Sequence, residues 1–304
     1  MSSPAAKFRQ LLSEPGVIIA PGVYDGLSAR AATSSKAFKA LYMTGAGTVA
    51  SRLGAPDVGL ASLPDMAANA SLIANIDRSV PLIADADTGY GNSAMCARTL
   101  SLYSQAGVAA LHVEDQVHSK RCGHLLGKQL VSAEEFVSRI KAMAIERKRI
   151  QSDIVIIART DSLQSLGVDE AIERSKQAVA VGADVIFVEG VENSEQAKKI
   201  VSALNPTPVL VNIVPNGVTP NWSEEEIQEL GFKIAIFPGV TLGPAFAAMS
   251  ASLEALAKTR KDPTGAAAVA QKSSPKEFFL RLGLGEIIAL DKAVGGTAFE
   301  GSNI

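Results

Sequence analysis

Acidic side chains recur directly after short apolar runs of this sequence, where they could bind a metal ion. Asp85 and Asp87 follow one such run with a single residue between them, and Glu114 follows the next. Two positions apart on an extended strand, Asp85 and Asp87 would point the same way. Their oxygens suit Mg²⁺, which binds through one or two carboxylates plus waters and substrate, and Mn²⁺ accepts a similar site. We therefore predict a Mg²⁺ site here, the alternative being that these acids pair with Arg159 or cap loops.

Other polar residues at the ends of apolar runs could bind a substrate carboxylate. Arg159 offers a planar guanidinium for a bidentate contact; the alternative is a salt bridge with Glu189, and the two roles can coexist. Asn212 supplies an amide after a further run. The segment 44–47 reads Thr-Gly-Ala-Gly, a small-residue turn whose backbone N–H groups could hold a carboxylate or phosphate. Glycine turns are also common in loops that bind nothing, so this last signal is weak alone.

A basic stretch in the long connection after the fourth apolar run could supply a proton. It places Cys122 among Lys120, Arg121, Gly123 and His124. Positive neighbours lower the pKa of a thiol and make proton exchange easier. The glycine gives flexibility, so the loop could close as a lid over the site. The alternative is an exposed basic loop with an incidental cysteine.

Several other functions lack their signals in this sequence. No lysine ends an apolar run, so a Schiff-base aldolase has no evident nucleophile, and no GxGxxG motif follows a run to bind a dinucleotide. The formal net charge of -2 argues against a nucleic-acid partner. With 47% hydrophobic residues but no uninterrupted apolar run of about 20, the composition predicts a globular protein outside the membrane. The start of the chain lacks the apolar core of a signal peptide, and we predict a cytoplasmic location.

Eight short apolar runs would form the strands that position these groups. Continuous rather than alternating apolarity predicts parallel strands buried on both faces. Their alternation with amphipathic stretches predicts an α/β fold, a (β/α)8 TIM-type barrel occupying 1–304 as a single domain, with its active site at the carboxyl ends of the strands. The runs are 17–20, 40–43, 82–84, 109–113, 154–158, 185–188, 209–211 and 234–237.

Capping motifs predict where several helices begin and end. The predicted helices are 93–106, ended by Gly107; 132–151 and one from 223, each opened by a capping box; and 168–181, ended by Gly182. Residues 264–304 exceed a minimal barrel and are predicted to form a helical extension, with helices at 274–282 and 286–293. This extension either packs on the surface or is exchanged with a neighbouring subunit.

Together these motifs resemble those of the phosphoenolpyruvate mutase/isocitrate lyase superfamily. The matching segments keep the family's order over most of the barrel, and they are 42–47, 54–57, 85–91, 113–116, 120–124, 158–161, 188–189 and Asn212. The resemblance implies a modified barrel in a homo-oligomer, a dimer or tetramer, whose last helix is exchanged between subunits. His112 and His118 are given no role.

The resemblance also implies a role for each matching residue. Asp85 would bind Mg²⁺ directly, with Asp57, Asp87 and Glu114 acting mostly through waters. The carboxylates of a small dicarboxylate substrate would contact Tyr42, Thr44, Gly45, Ala46, Arg159, Glu189 and Asn212. Arg159 and Glu189 would also take part in catalysis. Lys120, Arg121, Gly123 and His124 would close over the substrate together with Cys122.

The activity implied is a retro-Claisen cleavage in which Cys122 protonates the carbanion. Hydrolases of the group carry a serine that we align with Pro238, and proline cannot donate a hydrogen bond. We therefore expect cleavage of 2,3-dimethylmalate to pyruvate and propionate. Oxaloacetate acetylhydrolase and then methylisocitrate lyase are the enzymatic alternatives, and a metabolite-binding barrel without catalysis is the alternative from another class.

Overall fold

The computed structural model describes residues 2–123, 125, 127–263 and 274–299 of the chain. His124, which is among the predicted site residues, and 264–273 and 300–304 of the predicted extension lie outside the described residues. The chain divides into two compact units, Met1–Leu242 and Gly243–Ile304. The assignment of 1–304 to one barrel domain with an extension from 264 stays a prediction.

Eight parallel strands close into a barrel in the first unit, which confirms the predicted fold class. Each strand pairs with the next along the chain, and β1 pairs with β8 with Ile18 opposite Ile234. The predicted run 17–20 proved too short, since the first strand continues to Val23. The strands are β1 Ile18–Val23, β2 Leu41–Met43, β3 Leu82–Asp85, β4 Ala110–Glu114, β5 Val155–Thr160, β6 Val185–Val188, β7 Val209–Asn212 and β8 Ile234–Phe237.

Helices connect the strands as the capping motifs predict, with two corrections. The helix predicted at 132–151 begins with Ser132 as its N-cap. The predicted return bond of the capping box, from Ser132 N to the Glu135 side chain, is wrong, because Glu135 accepts from Arg139 instead. The helix predicted over 168–181 ends one residue earlier, at Ala180, with Val181 as its C-cap. The helices of this unit are α1 Pro4–Ser13, α2 Gly26–Ser34, α3 Gly45–Leu53, α4 Leu63–Ala74, α5 Ser93–Ala106, α6 Ala133–Arg149, α7 Leu163–Leu166, α8 Val168–Ala180, α9 Ser194–Leu204 and α10 Glu224–Glu229.

Two layers of apolar side chains hold the barrel together. One layer lies between the strands and the surrounding helices, and the other fills the barrel itself. Helix α1 adds Phe8 and Leu11 to the second layer, and its Arg9 binds the backbone ahead of β5. Close-packed interiors of this kind resist deformation, so the strand ends opposite α1 offer a rigid frame for a site. The fully buried members of the second layer include Ile83, Ala110, Val155, Ile157, Val185, Phe187, Leu210, Ile234 and Ile236.

The second unit contains helices α11 Leu242–Thr259, α12 Pro275–Arg281 and α13 Leu284–Ala293. The capping box predicted at Ser274 forms with Glu277, but the last helix begins at Leu284 rather than at 286. None of the residues in these three helices is buried. Large apolar side chains, among them Phe246, Leu253 and Leu290, are instead more than half exposed. No helix in the described part of the chain is both long and apolar enough to span a membrane.

Candidate active site

A cavity of about 220 Å³ opens at the carboxyl ends of the strands, where the sequence predicted a site. Most of the predicted site residues reach it or touch residues that do. Arg121 is exposed and does not line the cavity. The lining residues are Tyr42, Thr44, Ala46, Asp57, Asp85, Cys122, Gly123, Arg159, Glu189, Asn212, Val214, Pro238, Gly239 and Leu242.

Asp85 ends β3 and lies at the centre of a set of donors. Its Oδ2 accepts from Gly45 N at 3.2 Å and from the Tyr42 hydroxyl at 3.5 Å, and its Oδ1 accepts from Asp87 N at 2.9 Å. Burial works to raise the pKa of Asp85, but His112 and Lys120 outweigh it, so the pKa lies below its usual range. The side chain is therefore a carboxylate at neutral pH, as a metal ligand must be.

Lys120 lies among the acids rather than on the lining of the cavity. Its Nζ is 2.9 Å from Asp57 Oδ1 and also contacts Asp87 Oδ1. Burial opposes its charge, but Asp87 and Glu114 raise the pKa of Lys120 well above its usual value. Burial also raises the pKa of Asp87, to about 6, although Lys120 acts against that shift. The cation thus balances part of the negative charge buried at this end of the barrel.

The residues present fit a hard cation held largely through waters. Asp57 Oδ1, Asp87 Oδ1 and Glu114 Oε2 are buried and face cations, which are Lys120 for the two aspartates and Arg159 for the glutamate. Within 2–123, 125, 127–263 and 274–299, no three His, Cys, Asp or Glu side chains are grouped closely enough to hold an ion by themselves. Mg²⁺ needs only one or two carboxylates and keeps several waters. An all-oxygen set around Asp85 meets that requirement.

The small-residue segment after β2 begins a helix, so its description as a turn was wrong. Thr44 is the N-cap of α3, and its hydroxyl accepts from Gly47 N at 3.3 Å. The first N–H of the helix, from Gly45, already donates to Asp85. A side chain at Gly45 would overlap the Asp85 carboxylate, which explains why glycine is required at this close approach.

Replacing Gly45 by alanine is therefore expected to weaken metal binding at least about 10-fold, because the added methyl group displaces Asp85. Titration calorimetry with Mg²⁺ and Mn²⁺ measures the loss. Gly26 is a matched control, since it also begins a helix and an added Cβ would lie 3.8 Å from its nearest neighbour. Equal metal affinity in G45A and G26A would show that Asp85 does not hold the ion.

Arg159 is bound on several sides by acids. Its Nε and Nη2 donate to the two carboxylate oxygens of Asp161 at 2.8 and 3.0 Å, and Nη2 is 3.2 Å from Glu189 Oε2. The guanidinium also lies 4.9 Å from the centre of the Phe187 ring. Burial raises the pKa of Asp161, but Arg159 and then Lys128 overcome this and lower it to about 2. Arg159 is thus paired with Glu189, the alternative left open by the sequence, while still lining the cavity.

Glu189 and Asn212 bind each other at the same end of the barrel. Asn212 Nδ2 donates to Glu189 Oε2 at 3.1 Å, and Gly190 N donates to Glu189 Oε1 at 3.0 Å. Asn212 Oδ1 is buried and accepts no hydrogen bond from the described residues. The amide is therefore held through its nitrogen, and its oxygen is left as an acceptor on a residue that lines the cavity.

The loop that carries Cys122 lies against these groups. A Cβ at Gly123 would overlap Arg159 Nη2 and come within 3.0 Å of Glu189 Cγ. At its other end the loop is held by Gln116, whose side chain accepts from Arg121 N at 3.1 Å and donates to Arg121 O at 2.9 Å. Cys122 is half-buried and reaches the cavity. The thiol is thus placed where it could deliver a proton.

His112 contacts residues of the site although no role was predicted for it. Its Nε2 lies 3.0 Å from the Tyr42 hydroxyl, and its ring stacks on Tyr42 and meets the edge of Phe187. Burial lowers the pKa of His112 to about 4, so its 3.6 Å contact with Asp85 is not an ion pair at neutral pH. The sequence did contain a signal for this contact. A histidine within a continuous apolar strand is buried, and a buried polar group needs a hydrogen-bond partner.

The family described as phosphoenolpyruvate phosphomutase matches residues 8–257. A 2,3-dimethylmalate lyase of Eubacterium barkeri is 40% identical over 283 residues, covering 93% of this chain and 95% of the relative. A 2-methylisocitrate lyase of Bacillus subtilis is 34% identical over 294 residues, covering 96% and 94%.

Solved structures resemble the chain over nearly its full length. A crystal structure of 2,3-dimethylmalate lyase, described as a member of the PEP mutase/isocitrate lyase superfamily, has a TM-score of 0.94 at 49% identity and covers 99% of this chain and 98% of that one. Oxaloacetate acetylhydrolase bound to 3,3-difluorooxalacetate has a TM-score of 0.93 at 48% identity, covering 98% and 99%. Phosphonopyruvate hydrolase with oxalate and Mg²⁺ has a TM-score of 0.83 at 25% identity, covering 96% and 99%.

Proposed function

The chain belongs to the phosphoenolpyruvate mutase/isocitrate lyase superfamily, and from that premise we propose that it is a metal-dependent lyase that cleaves 2,3-dimethylmalate to pyruvate and propionate. The metal is Mg²⁺, with Mn²⁺ as the other ion that the oxygen ligands would accept. The similarity to 2,3-dimethylmalate lyases of 40% and 49% identity supports this assignment.

The observation that carries the choice of substrate is an apolar wall in a cavity that is otherwise lined largely by charged and polar residues. Pro238 follows β8, and it lines the cavity together with Val214 and Leu242. None of these side chains donates a hydrogen bond, so a hydrated 2-carbon would find no donor from them. The two methyl groups of 2,3-dimethylmalate could instead be buried there, while Arg159 contacts its carboxylates.

The proposed reaction is a retro-Claisen cleavage, which is supported by the presence of Arg159 and Cys122 on the lining of the cavity. A base takes the proton of the C2 hydroxyl, the C2–C3 bond breaks, and C2 becomes the carbonyl carbon of pyruvate. The electron pair of the broken bond moves onto the propionate fragment, whose carbanion takes a proton from the Cys122 thiol. Arg159 stabilises the negative charge that develops in the closed cavity. Held by Asp85 and, through waters, by Asp57, Asp87 and Glu114, the metal would supply Lewis-acid polarisation of a substrate oxygen.

A coupled assay of pyruvate release from 2,3-dimethylmalate with Mg²⁺, beside oxalate detection from oxaloacetate, tests this proposal. We expect pyruvate release with little oxalate. Dominant oxalate production would make the protein an oxaloacetate acetylhydrolase, which its 48% identity to that enzyme favours as the second candidate. Release of pyruvate from 2-methylisocitrate alone would assign it to the third activity.

The apolar wall predicts the effect of a single substitution on the choice of substrate. Replacing Pro238 by serine adds a donor next to the cavity, and we expect the ratio of oxalate to pyruvate production to rise at least about 10-fold. A parallel P238A variant controls for loss of the ring alone, because it removes apolar volume without adding a donor. An unchanged product ratio in P238S would show that this position does not separate the two activities.

Methylisocitrate is the poorer fit because of its third carboxylate. Arg159 is the only cation among the described residues that line the cavity, and three acids already contact it. Val214, two residues beyond the end of β7, is apolar and supplies no positive charge to this part of the lining. An additional carboxylate would therefore be buried without a counter-charge, which is costly.

The protein is further proposed to act as a homo-oligomer, a dimer or tetramer, in which the C-terminal helices are exchanged between subunits. The supporting observation is that α11, α12 and α13 bury none of their residues. Exposed apolar side chains at this density usually mark a surface that another chain covers. Light scattering of the intact chain measures the number of subunits.

A further inference from the structure

Lys128 connects the barrel to the loop in which Cys122 lies. Its Nζ donates to Gly123 O at 2.8 Å and lies 2.9 Å from Asp161 Oδ1. The Lys128 side chain is only 4% exposed, and that of Asp161 is fully buried. One ammonium group therefore bridges a backbone carbonyl beside the thiol and a carboxylate at the end of β5, in a place from which water is excluded.

The carboxylate that Lys128 contacts is the one that holds Arg159. Asp161 accepts both Arg159 bonds, and its backbone N–H donates to Asp115 Oδ1 at 2.8 Å, which fixes its position. Lys128 and Arg159 thus share one anion. A movement of Lys128 changes the charge balance around Asp161, and through it the orientation of the guanidinium that lines the cavity.

The strength of this link comes from burial. A charged amine that loses an acceptor in a dry site carries a large penalty, so the closed loop is favoured while Gly123 O accepts from Lys128. Gln116 also holds the loop, at Arg121, and its other partner, Glu114, lies 3.2 Å from Arg159 Nε. Lys128 differs because it binds the carbonyl next to the thiol and reaches Arg159 through Asp161, the carboxylate that accepts two hydrogen bonds from Arg159.

We propose that Lys128 is a positioning residue that latches the Cys122 loop in its closed position and, through Asp161, couples closure to the orientation of Arg159. The part that concerns catalysis rests on the proposed lyase function, whereas the latch itself does not. Lys128 contacts the loop and Asp161, and it is not among the residues that line the cavity.

The latch is tested by alkylating Cys122 with iodoacetamide in wild-type protein and in Lys128→Met, which keeps the unbranched apolar stem but removes the charge. The other cysteine, Cys96, is buried in the core and serves as an internal reference for unfolding. A pH series gives the limiting rate of the thiolate, so that a change in thiol acidity is not mistaken for opening. We expect this rate to rise at least about 10-fold in K128M, with Cys96 still protected.

Lys141→Met is the matched control, because Lys141 is exposed on α6. A double-mutant cycle with Asp161→Asn provides a second measurement. If the pair acts as one latch, K128M/D161N is alkylated no faster than the faster single variant. An unchanged alkylation rate in K128M, or independent effects of the two substitutions, would overturn the latch.

Steady-state kinetics test the coupling separately. A latch predicts that K128M raises KM and lowers kcat together, since both substrate retention and Arg159 are affected. Faster alkylation with unaltered kinetic constants would overturn the coupling to Arg159. If the wild type turns over none of the substrates, the lyase proposal fails. The alkylation rates still decide whether Lys128 holds the Cys122 loop in its closed position.

Discussion

Replacing Cys122 by serine is expected to lower kcat for pyruvate release about 10³-fold, within the range of a general acid in catalysis. A hydroxyl is a much weaker acid than a thiol, and it would not protonate the carbanion at a useful rate. The thiol lines the cavity, and its neighbour Gly123 packs against Arg159 and Glu189, so a group of similar size keeps the loop in place. Metal affinity should be unchanged, because the substitution removes none of the carboxylates assigned to the ion and replaces the thiol by a group of similar size.

The control for this substitution is Cys96→Ser. Cys96 is fully buried in the core on α5, and its sulfur lies 3.7 Å from Thr88 O. C96S should change stability but leave kcat within about 3-fold of the wild type, since it alters no group in the cavity. Comparable activity in C122S and the wild type would remove the thiol from the mechanism.

Replacing Gly123 by alanine is expected to lower kcat/KM about 10²-fold, because a displacement near 1 Å in an active site has an effect of that size. The new methyl group would overlap Arg159 Nη2, and Glu189 Cγ and Oε2 would both lie 3.0 Å from it. Both partners are held by further ion pairs and hydrogen bonds, so neither can move without breaking its own contacts. The loop must then close less fully, and Cys122 no longer reaches its position at the cavity.

Gly243→Ala is the control, since an added Cβ there meets nothing within 4 Å and the residue lies in α11. Alkylation of Cys122 should also be faster in G123A, which separates poor closure from a direct loss of chemistry. Wild-type kcat/KM in G123A would mean that the loop does not need this closed position for catalysis.

The strands and their polar ends could be predicted from the sequence because both depend on local patterns. Continuous apolar runs identify parallel strands buried on both faces, and the closed barrel then brings Asp85, Arg159 and Asn212 to one edge. Capping motifs work in the same way, as at Ser223, where both halves of the box form. A helix start without such a motif, at Gly45, was taken for a turn.

Contacts between residues far apart in the sequence could not be predicted. Lys120 was assigned to the substrate, yet it lies against Asp57 and Asp87, because only the folded chain shows that the loop returns to those acids. The pairing of Lys128 with Asp161 has no signal in composition or spacing. Each of these contacts places a cation against buried acids, a balance of charge that depends on three-dimensional position.

The most direct test of the account is product analysis by NMR after incubation of the protein with 2,3-dimethylmalate and Mg²⁺ in D₂O. The account predicts equal amounts of pyruvate and propionate, with one deuteron on C2 of propionate. That deuteron marks protonation of the carbanion by a group whose proton exchanges with solvent, as the Cys122 thiol does. Intact 2,3-dimethylmalate, in a preparation that converts oxaloacetate to oxalate and acetate, would contradict the account and assign the chain to hydrolysis.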